Sequence, residues 1–165
     1  MSDIAALFQR LTLGVYVIGV ADAERRNAFT AAWVTQVSFD PPLLALSINP
    51  VNASYAILRS GRSFVVNVLE RGQLELARRF GTRSGRDDDK LSGIAWSPGR
   101  HGAPILEQAV AYFDCEVGDV LRCGDHDLVV GRVIDGRILA PFAAPMTYAE
   151  TGDMDGSGAF QTATF

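Results

Sequence analysis

The feature that most limits what this chain can fold into is a rhythm of short β-prone runs, each ended by residues that cannot continue a ladder. The sharpest break is Asp40-Pro41-Pro42, between the runs 28–39 and 43–48. Two successive prolines remove two amide donors, so the chain must turn there. Upstream, Val15, Tyr16, Val17, Ile18 and Val20 follow Gly14, and the charged residues of 21–27 read as a hairpin loop. Downstream, 63–69 places Phe64, Val66 and Val68 on one face. Residues 110–121 alternate and 128–134 alternate back, with Gly124-Asp125 as the turn and His126 beside the tip. Helical spacing is confined to three short segments. Ser2 or Asp3 caps one in which Ile4, Leu7, Phe8 and Leu11 share a face. Asn52 caps 52–60, with Gly61 expected at C′. The third is 73–80, with Arg78 and Arg79 in its last turn and Gly81 as its stop. Many strands at short spacing without βαβ alternation predict a mainly β fold, an antiparallel barrel with short peripheral helices.

At 165 residues the chain suits a single domain, 1–165, in which 151–165 reads as an irregular, Gly-rich, acidic tail. The formal charge of −4 argues against nucleic acid as a partner. The segment 82–93 carries Arg83, Arg86, Asp87, Asp88, Asp89 and Lys90, the only lysine, and reads as a solvated loop, of whose cations Arg83, Arg86 and Lys90 one could reach a phosphate. Cys115 and Cys123 read as reduced thiols of a cytoplasmic protein. Cys123-Gly-Asp-His126 lacks the further ligands a zinc site needs, so no metal is expected. Residues 11–21 mimic a secretion signal, but Asp3 precedes them, no basic cluster does, and Gly14, Tyr16 and Gly19 suit a strand. No run reaches the roughly 18 apolar residues of a membrane span.

The chain has no GxGxxG after a strand, no GxxxxGK[ST], no HExxH and no GxSxG. With only His101 and His126, a histidine-based triad or metal cluster is hard to assemble. An activity here points to a cofactor that carries the chemistry. The least charged stretch is 27–58, where Asp40 is the only ionisable acid or base among DEKR types. It is dense in small and neutral polar residues: Thr30, Ala31, Ala32, Thr35, Ser38, Ser47, Asn49, Asn52 and Ser54. Two readings stay open on the residues alone. One is a buried hairpin with a capped helix. The other is a neutral cradle for a flat ligand, with the helix start turned to a phosphate.

The ordered motifs resemble the flavin reductase-like family of FMN-binding split barrels over nearly the whole chain. Leu13-Gly14-Val15-Tyr16-Val17-Ile18 is similar to the family's first strand, and Phe29-Thr30-Ala31-Ala32-Trp33 to its x-T-A strand. Val37-Ser38-Phe39-Asp40-Pro41-Pro42 resembles V-S-x-D-P-P, and Ser47-Ile48-Asn49 with Asn52 and Ser54 follows at the expected place. Phe64-Val65-Val66-Asn67-Val68-Leu69 resembles F-x-V-N-x-L, and Leu76-Ala77-Arg78-Arg79-Phe80 resembles L-A-x-x-F. Lys90-Leu91, Trp96, Gly102-Ala103-Pro104-Ile105-Leu106 and Gly124-Asp125-His126 complete the series.

The resemblance implies a split β-barrel and an NAD(P)H:flavin oxidoreductase, using FMN, or FAD, with NADH or NADPH as co-substrate. It further implies a homodimer and a monooxygenase that takes the reduced flavin. Thr30, Ala31, Ala32 and Trp33 would line the isoalloxazine, and Ser47, Ile48 and Asn49 the ring and ribityl chain. Asn52 and Ser54 would hold the phosphate, Phe80 would pack near the flavin, and His126 would receive the nicotinamide. Trp33 and Gln36 depart from the family's small and serine residues, which bears on substrate scope. A non-catalytic FMN electron carrier would use the same flavin-holding motifs, and a pyridoxine phosphate oxidase-like protein is a third reading. Beside these roles stand plainer ones: His126 as an exposed turn residue, and Phe80 and Trp33 as core.

Overall fold

The first β-prone run forms β1 (Tyr16–Ala21) and turns back at once into β2 (Arg26–Ala31). Asp22 closes that turn, its carboxylate accepting from the backbone N–H of Glu24 and Arg25. In this computed structural model, residues 4–86, 88–152, 154 and 156 are described. The expected cap at Ser2 or Asp3, Asp87, and most of the tail after Gly152 lie outside them. The other strands are β3 (Val34–Ser38), β4 (Leu43–Ile48), β5 (Ser63–Val68), β6 (Trp96–Pro98), β7 (Pro104–Leu106), β8 (Ala111–Cys123) and β9 (His126–Ile138). Helices are α1 (Ile4–Phe8), α2 (Ala53–Gly61) and α3 (Leu74–Thr82), and Tyr148–Thr151 makes a 3-10 turn. The fold is therefore mainly β with few helices, and each strand pair is antiparallel.

Seven strands make one sheet in the order β2-β1-β5-β8-β9-β4-β3. Residues 28–39 are thus not one strand. They split into β2 and β3, which occupy opposite edges of the sheet yet are joined by Ala32 and Trp33 alone. The three steps from Ala31 to Val34 span at most about 10 Å, so the sheet must curl until one end of each edge meets at that link. The link is fixed by one local and one tertiary bond: the Ala32 carbonyl accepts from Val34 N–H (3.1 Å), and the Trp33 carbonyl from Ser47 N–H (3.0 Å). The β8–β9 hairpin is as expected, with Cys123 paired to His126 and Gly124 at φ 63° in the turn.

The core has two parts. Ile18, Val20, Leu46, Phe64, Val66 and Val129 fill the sheet's curve under α2. Val15, Val17, Leu69, Ala77, Phe80 and Met146 pack under α3. Burying a phenylalanine side chain such as Phe64 or Phe80 contributes about 2–3 kcal/mol. Asn67, the asparagine of the F-x-V-N-x-L run, is buried and fully used. Its amide donates to the Val17 and Pro104 carbonyls (3.0 and 3.1 Å), and its carbonyl accepts from Leu106 N–H (2.8 Å). It ties β1 and β5 to the small β6–β7 hairpin, which the sequence pattern did not reveal. Burial pushes the Cys115 thiol up to about 12, so it is an inert core residue.

Several local expectations are corrected. The apolar face expected on the first helix is not buried: Leu7, Phe8 and Leu11 are exposed. That helix ends at Phe8 because Arg10 and Leu11 donate to carbonyls three residues back, tightening the turn. Gly61 is the last residue of α2 and not its left-handed cap. Arg62 takes that conformation (φ 51°) and donates to the Leu58 carbonyl at 2.9 Å. Glycine is needed at 61 because a Cβ there would collide with the Ala21 carbonyl. Gly81 does not stop α3, which runs on to Thr82. Lys90 is not solvated: its exposure is 3%. Among the described residues, no helix is long and apolar enough to cross a membrane, and no group of three or more His, Cys, Asp or Glu could hold a metal.

Candidate flavin site

The curl that joins β2 to β3 brings sequence-distant residues to one end of the sheet. Ser47 N–H holds the Trp33 carbonyl, while Ser47 and Ile48 pair with Leu128 and Asp127 at the start of β9. The Trp33 indole, 48% exposed, lies across the His126 imidazole, with ring centroids 5.0 Å apart and planes tilted by 52°. His126 Nδ1 is 2.9 Å from Asp125 Oδ1, and this contact holds the Asp125 carboxyl below its usual range. Thus Trp33, Ser47 and His126, from three separated parts of the chain, share one rim.

From β4 the chain passes directly into the start of α2. The Asn49 side chain accepts from Val51 N–H (3.0 Å), and its carbonyl from Asn52 N–H (2.9 Å). Asn52 caps the helix, its Oδ1 accepting from Ser54 N–H at 2.9 Å. The Ser54 hydroxyl is buried and accepts from the Asn27 amide at 3.0 Å, so β2 fixes where the helix begins. At the next residue, the Tyr55 hydroxyl donates to the buried Asp127 carboxylate, and that bond raises the phenol's pKa. Arg122 Nη1 stands 3.5 Å from the same carboxylate. No acidic residue lies in the first turn of α2. Its first amides, which have no partner within the helix, therefore meet no anion of their own.

One contributor, Asn27, was not singled out from sequence; another, Arg86, comes from the charged loop of which one cation was expected to reach a phosphate. Asn27 is a buried amide that anchors Ser54. Arg86 Nη2 donates to the Val51 carbonyl at 3.1 Å, which places a guanidinium beside the start of α2. Asn27 falls at the end of the segment read as a hairpin loop, so nothing local points to it; for Arg86 the signal is the cluster of cations in 82–93. Between β2 and this segment lies a cavity of about 360 Å³ lined by Arg26, Asn27, Gly85, Arg86, Asp88 and Asp89.

The other expected residues bring backbone to the site more than side chains. The Thr30 hydroxyl donates to the Ala77 carbonyl at 2.6 Å, so its side chain faces α3. Phe80 is 1% exposed within the second core cluster. Ile48 is core, which leaves only its backbone for the rim. Ala31 and Ala32 are half-buried at the β2–β3 link. A larger concavity of about 700 Å³, lined by Arg100, His101, Glu116, Arg132, Val133 and Ile134, contains none of the expected residues. Its one carboxylate is already engaged: Glu116 meets His101 at 3.1 Å and Arg132 at 2.9 Å, while Arg100 pairs with Asp135 at 3.5 Å.

The family model described as a flavin reductase like domain matches residues 8–157. The chain belongs to this family. Among solved structures, the flavin reductase-like chain resembles the FMN-binding protein of Thermus thermophilus (TM-score 0.75, 35% identity, 81% of this chain and 75% of that one). It also resembles the NADH:FAD oxidoreductase SgcE6 of Streptomyces globisporus (TM-score 0.81, 30% identity, 87% and 86%). It is 36% identical over 141 residues to the high molecular weight rubredoxin of Moorella thermoacetica, covering 84% of this chain and 61% of that protein. The chain spans less than two-thirds of the length of the curated relatives it matches.

The residues present suit a flavin. The rim offers small side chains and neutral donors for a flat ring. The start of α2, with Arg86, offers amides and a cation for a phosphate.

Proposed function

We propose that the chain is an NAD(P)H-dependent flavin reductase whose site is the rim formed by Trp33, Ser47–Asn49, the start of α2 and His126. The observation that carries this reading is the convergence of those elements at one end of the curled sheet, which the β2–β3 link enforces. The SgcE6 neighbour's activity as an NADH:FAD oxidoreductase supports it. In this reading Asn52, Ser54 and Arg86 hold the phosphate of FMN, or of FAD. The backbone of Thr30, Ala31, Ala32 and Trp33, with Ser47, Ile48 and Asn49, positions the ring, and Phe80 supports β2 from behind. His126 receives the nicotinamide ring of NADH or NADPH. The bound flavin supplies the hydride acceptor. The chain's own part is to orient two rings face to face and to offer backbone donors where negative charge develops. No side-chain acid or nucleophile is required for that transfer.

The curl of the sheet supports the family's split barrel as the finer description of the fold. A homodimer, and a monooxygenase that consumes the reduced flavin, complete the proposal. The test is nicotinamide oxidation by purified protein with FMN or FAD in excess, beside the flavin absorbance kept through desalting. Oxidation that depends on added flavin is expected. Retained flavin with no nicotinamide oxidation would replace the proposal with an electron carrier.

A further inference from the structure

Lys90 is the chain's only lysine and is 3% exposed. An ammonium has three donors. Among the described residues, this one makes a single hydrogen bond, to the Phe80 carbonyl at 3.2 Å in the last turn of α3, and lies 6.0 Å from the Phe80 ring centroid. The charged groups around it do not neutralise it at contact. Asp88 pairs with Arg83 at 3.2 Å and acts on Lys90 only from a distance. Asp89 Oδ1 accepts from Leu91 N–H at 3.1 Å. Arg79 of α3 holds the backbone, its Nε donating to the Lys90 carbonyl at 2.8 Å and its Nη2 to the Ser92 carbonyl. A nearly unpartnered charge is thus held in the interior, which is costly.

The same stretch of chain carries the residues that complete the candidate site. Gly85 lies so close to the Asn27 carboxamide that a Cβ would overlap it. Arg86 reaches the Val51 carbonyl. Asp88 and Asp89, between Arg86 and Lys90 in sequence, line the same cavity as Gly85 and Arg86, so burial of Lys90 and seating of Gly85 and Arg86 are linked through one short run of chain.

We propose that Lys90 is a positioning residue for the phosphate end of the site: its buried ammonium opposes the seating of Gly85 and Arg86 against Asn27 and the start of α2, and loss of its proton favours that seating. The identity of the anion rests on the flavin reading above; the coupling of Lys90 to Arg86 does not. The sign follows from linkage. Desolvation pushes the packed Lys90 down to about 8, against 10.5 for an exposed lysine. Between these values the unseated state holds one more proton, so seating strengthens as pH rises, by at most about tenfold per pH unit.

The test needs no bound flavin. Hydrogen exchange of the amides at 84–86 and 90–92 is compared in the wild type, Lys90→Met and Lys90→Arg. From about pH 7 to about pH 9, after correction for intrinsic rates, wild-type protection should rise at least about threefold. Lys90→Met should be protected throughout and Lys90→Arg poorly protected, both without a pH inflection. Equal protection and equal pH profiles in wild type and Lys90→Met would overturn the proposal. Should Lys90→Met fail to fold, the wild-type series alone decides it: a flat profile refutes the coupling. A parallel titration compares FMN with riboflavin, which lacks the phosphate. FMN affinity that tightens in step with protection, with riboflavin unchanged, supports the phosphate assignment. Exchange that responds while FMN does not would remove the phosphate from α2 and leave the coupling of Lys90 to Arg86 standing.

Discussion

The chain holds two helices of equal length, α2 and α3, nine residues each, and they are put to opposite uses. The start of α2 is capped by Asn52, has no acidic residue in its first turn, and sits between the Trp33–His126 rim and Arg86. The start of α3 has no side-chain cap bond and carries Glu75 in its first turn. Gln73, just before it, spends its side chain on loops, accepting from Glu70 N–H and donating to the Gln108 carbonyl, both at 2.8 Å. One helix start carries no acidic residue and, on the proposed reading, meets the flavin phosphate. The other supplies its own anion there and contributes an apolar face to the core.

The helices differ most at their glycines. Gly61 lies against the Ala21 carbonyl, a rigid backbone atom at the end of β1. Gly61→Ala should destabilise the protein by about 3 kcal/mol, lowering the melting temperature by about 6–12 °C. A loss below about 1 kcal/mol would mean that α2 can slide away from β1, and that its start is not fixed.

The caps come next. Asn52→Ala removes the bond to Ser54 N–H and should cost about 1 kcal/mol of stability. It should also weaken FMN more than riboflavin, since the loss falls at the phosphate end. Gln73→Ala should cost about as much, through its two loop bonds, with no change in FMN affinity. Matched flavin titrations separate the two. An equal effect of both variants on FMN would erase the functional difference between the helices.

Much of this contrast was legible before the structure. Asn52 is a good cap ahead of a short apolar run, and the Gly124-Asp125 turn between alternating runs marks the β8–β9 hairpin. Local chemistry decides both. The break at Ala32-Trp33 is invisible locally because neither residue is a turn former; the bond from Ser47 N–H and the sheet's curl impose it. The Trp33–His126 contact joins positions 93 residues apart and follows from that curl. The charge run around Lys90 hid a buried ammonium, because composition registers charge and not the Phe80 carbonyl that receives it. Gly61 is expected at C′, and the structure puts it to a different use. A glycine at a helix end suggests a left-handed cap, whereas this one makes room for a neighbouring strand.

Gly81, near the end of α3, gives the smallest and most discriminating change. Its position invites the same substitution as Gly61, yet a Cβ there would lie 3.3 Å from Thr30 Cβ and from the Met154 terminal methyl. Alanine gains about 0.5–1 kcal/mol of helix preference over glycine. The contact with Met154 can yield, because that side chain is flexible at its end. Thr30 yields less, since its hydroxyl is held by the Ala77 carbonyl. The two effects should nearly cancel, leaving Gly81→Ala within about 0.5 kcal/mol of wild type and its melting temperature within about 2 °C. A loss approaching that of Gly61→Ala would show that β2 presses on α3 as rigidly as β1 presses on α2. Thr30 would then owe its place to helix packing before any role toward a ligand.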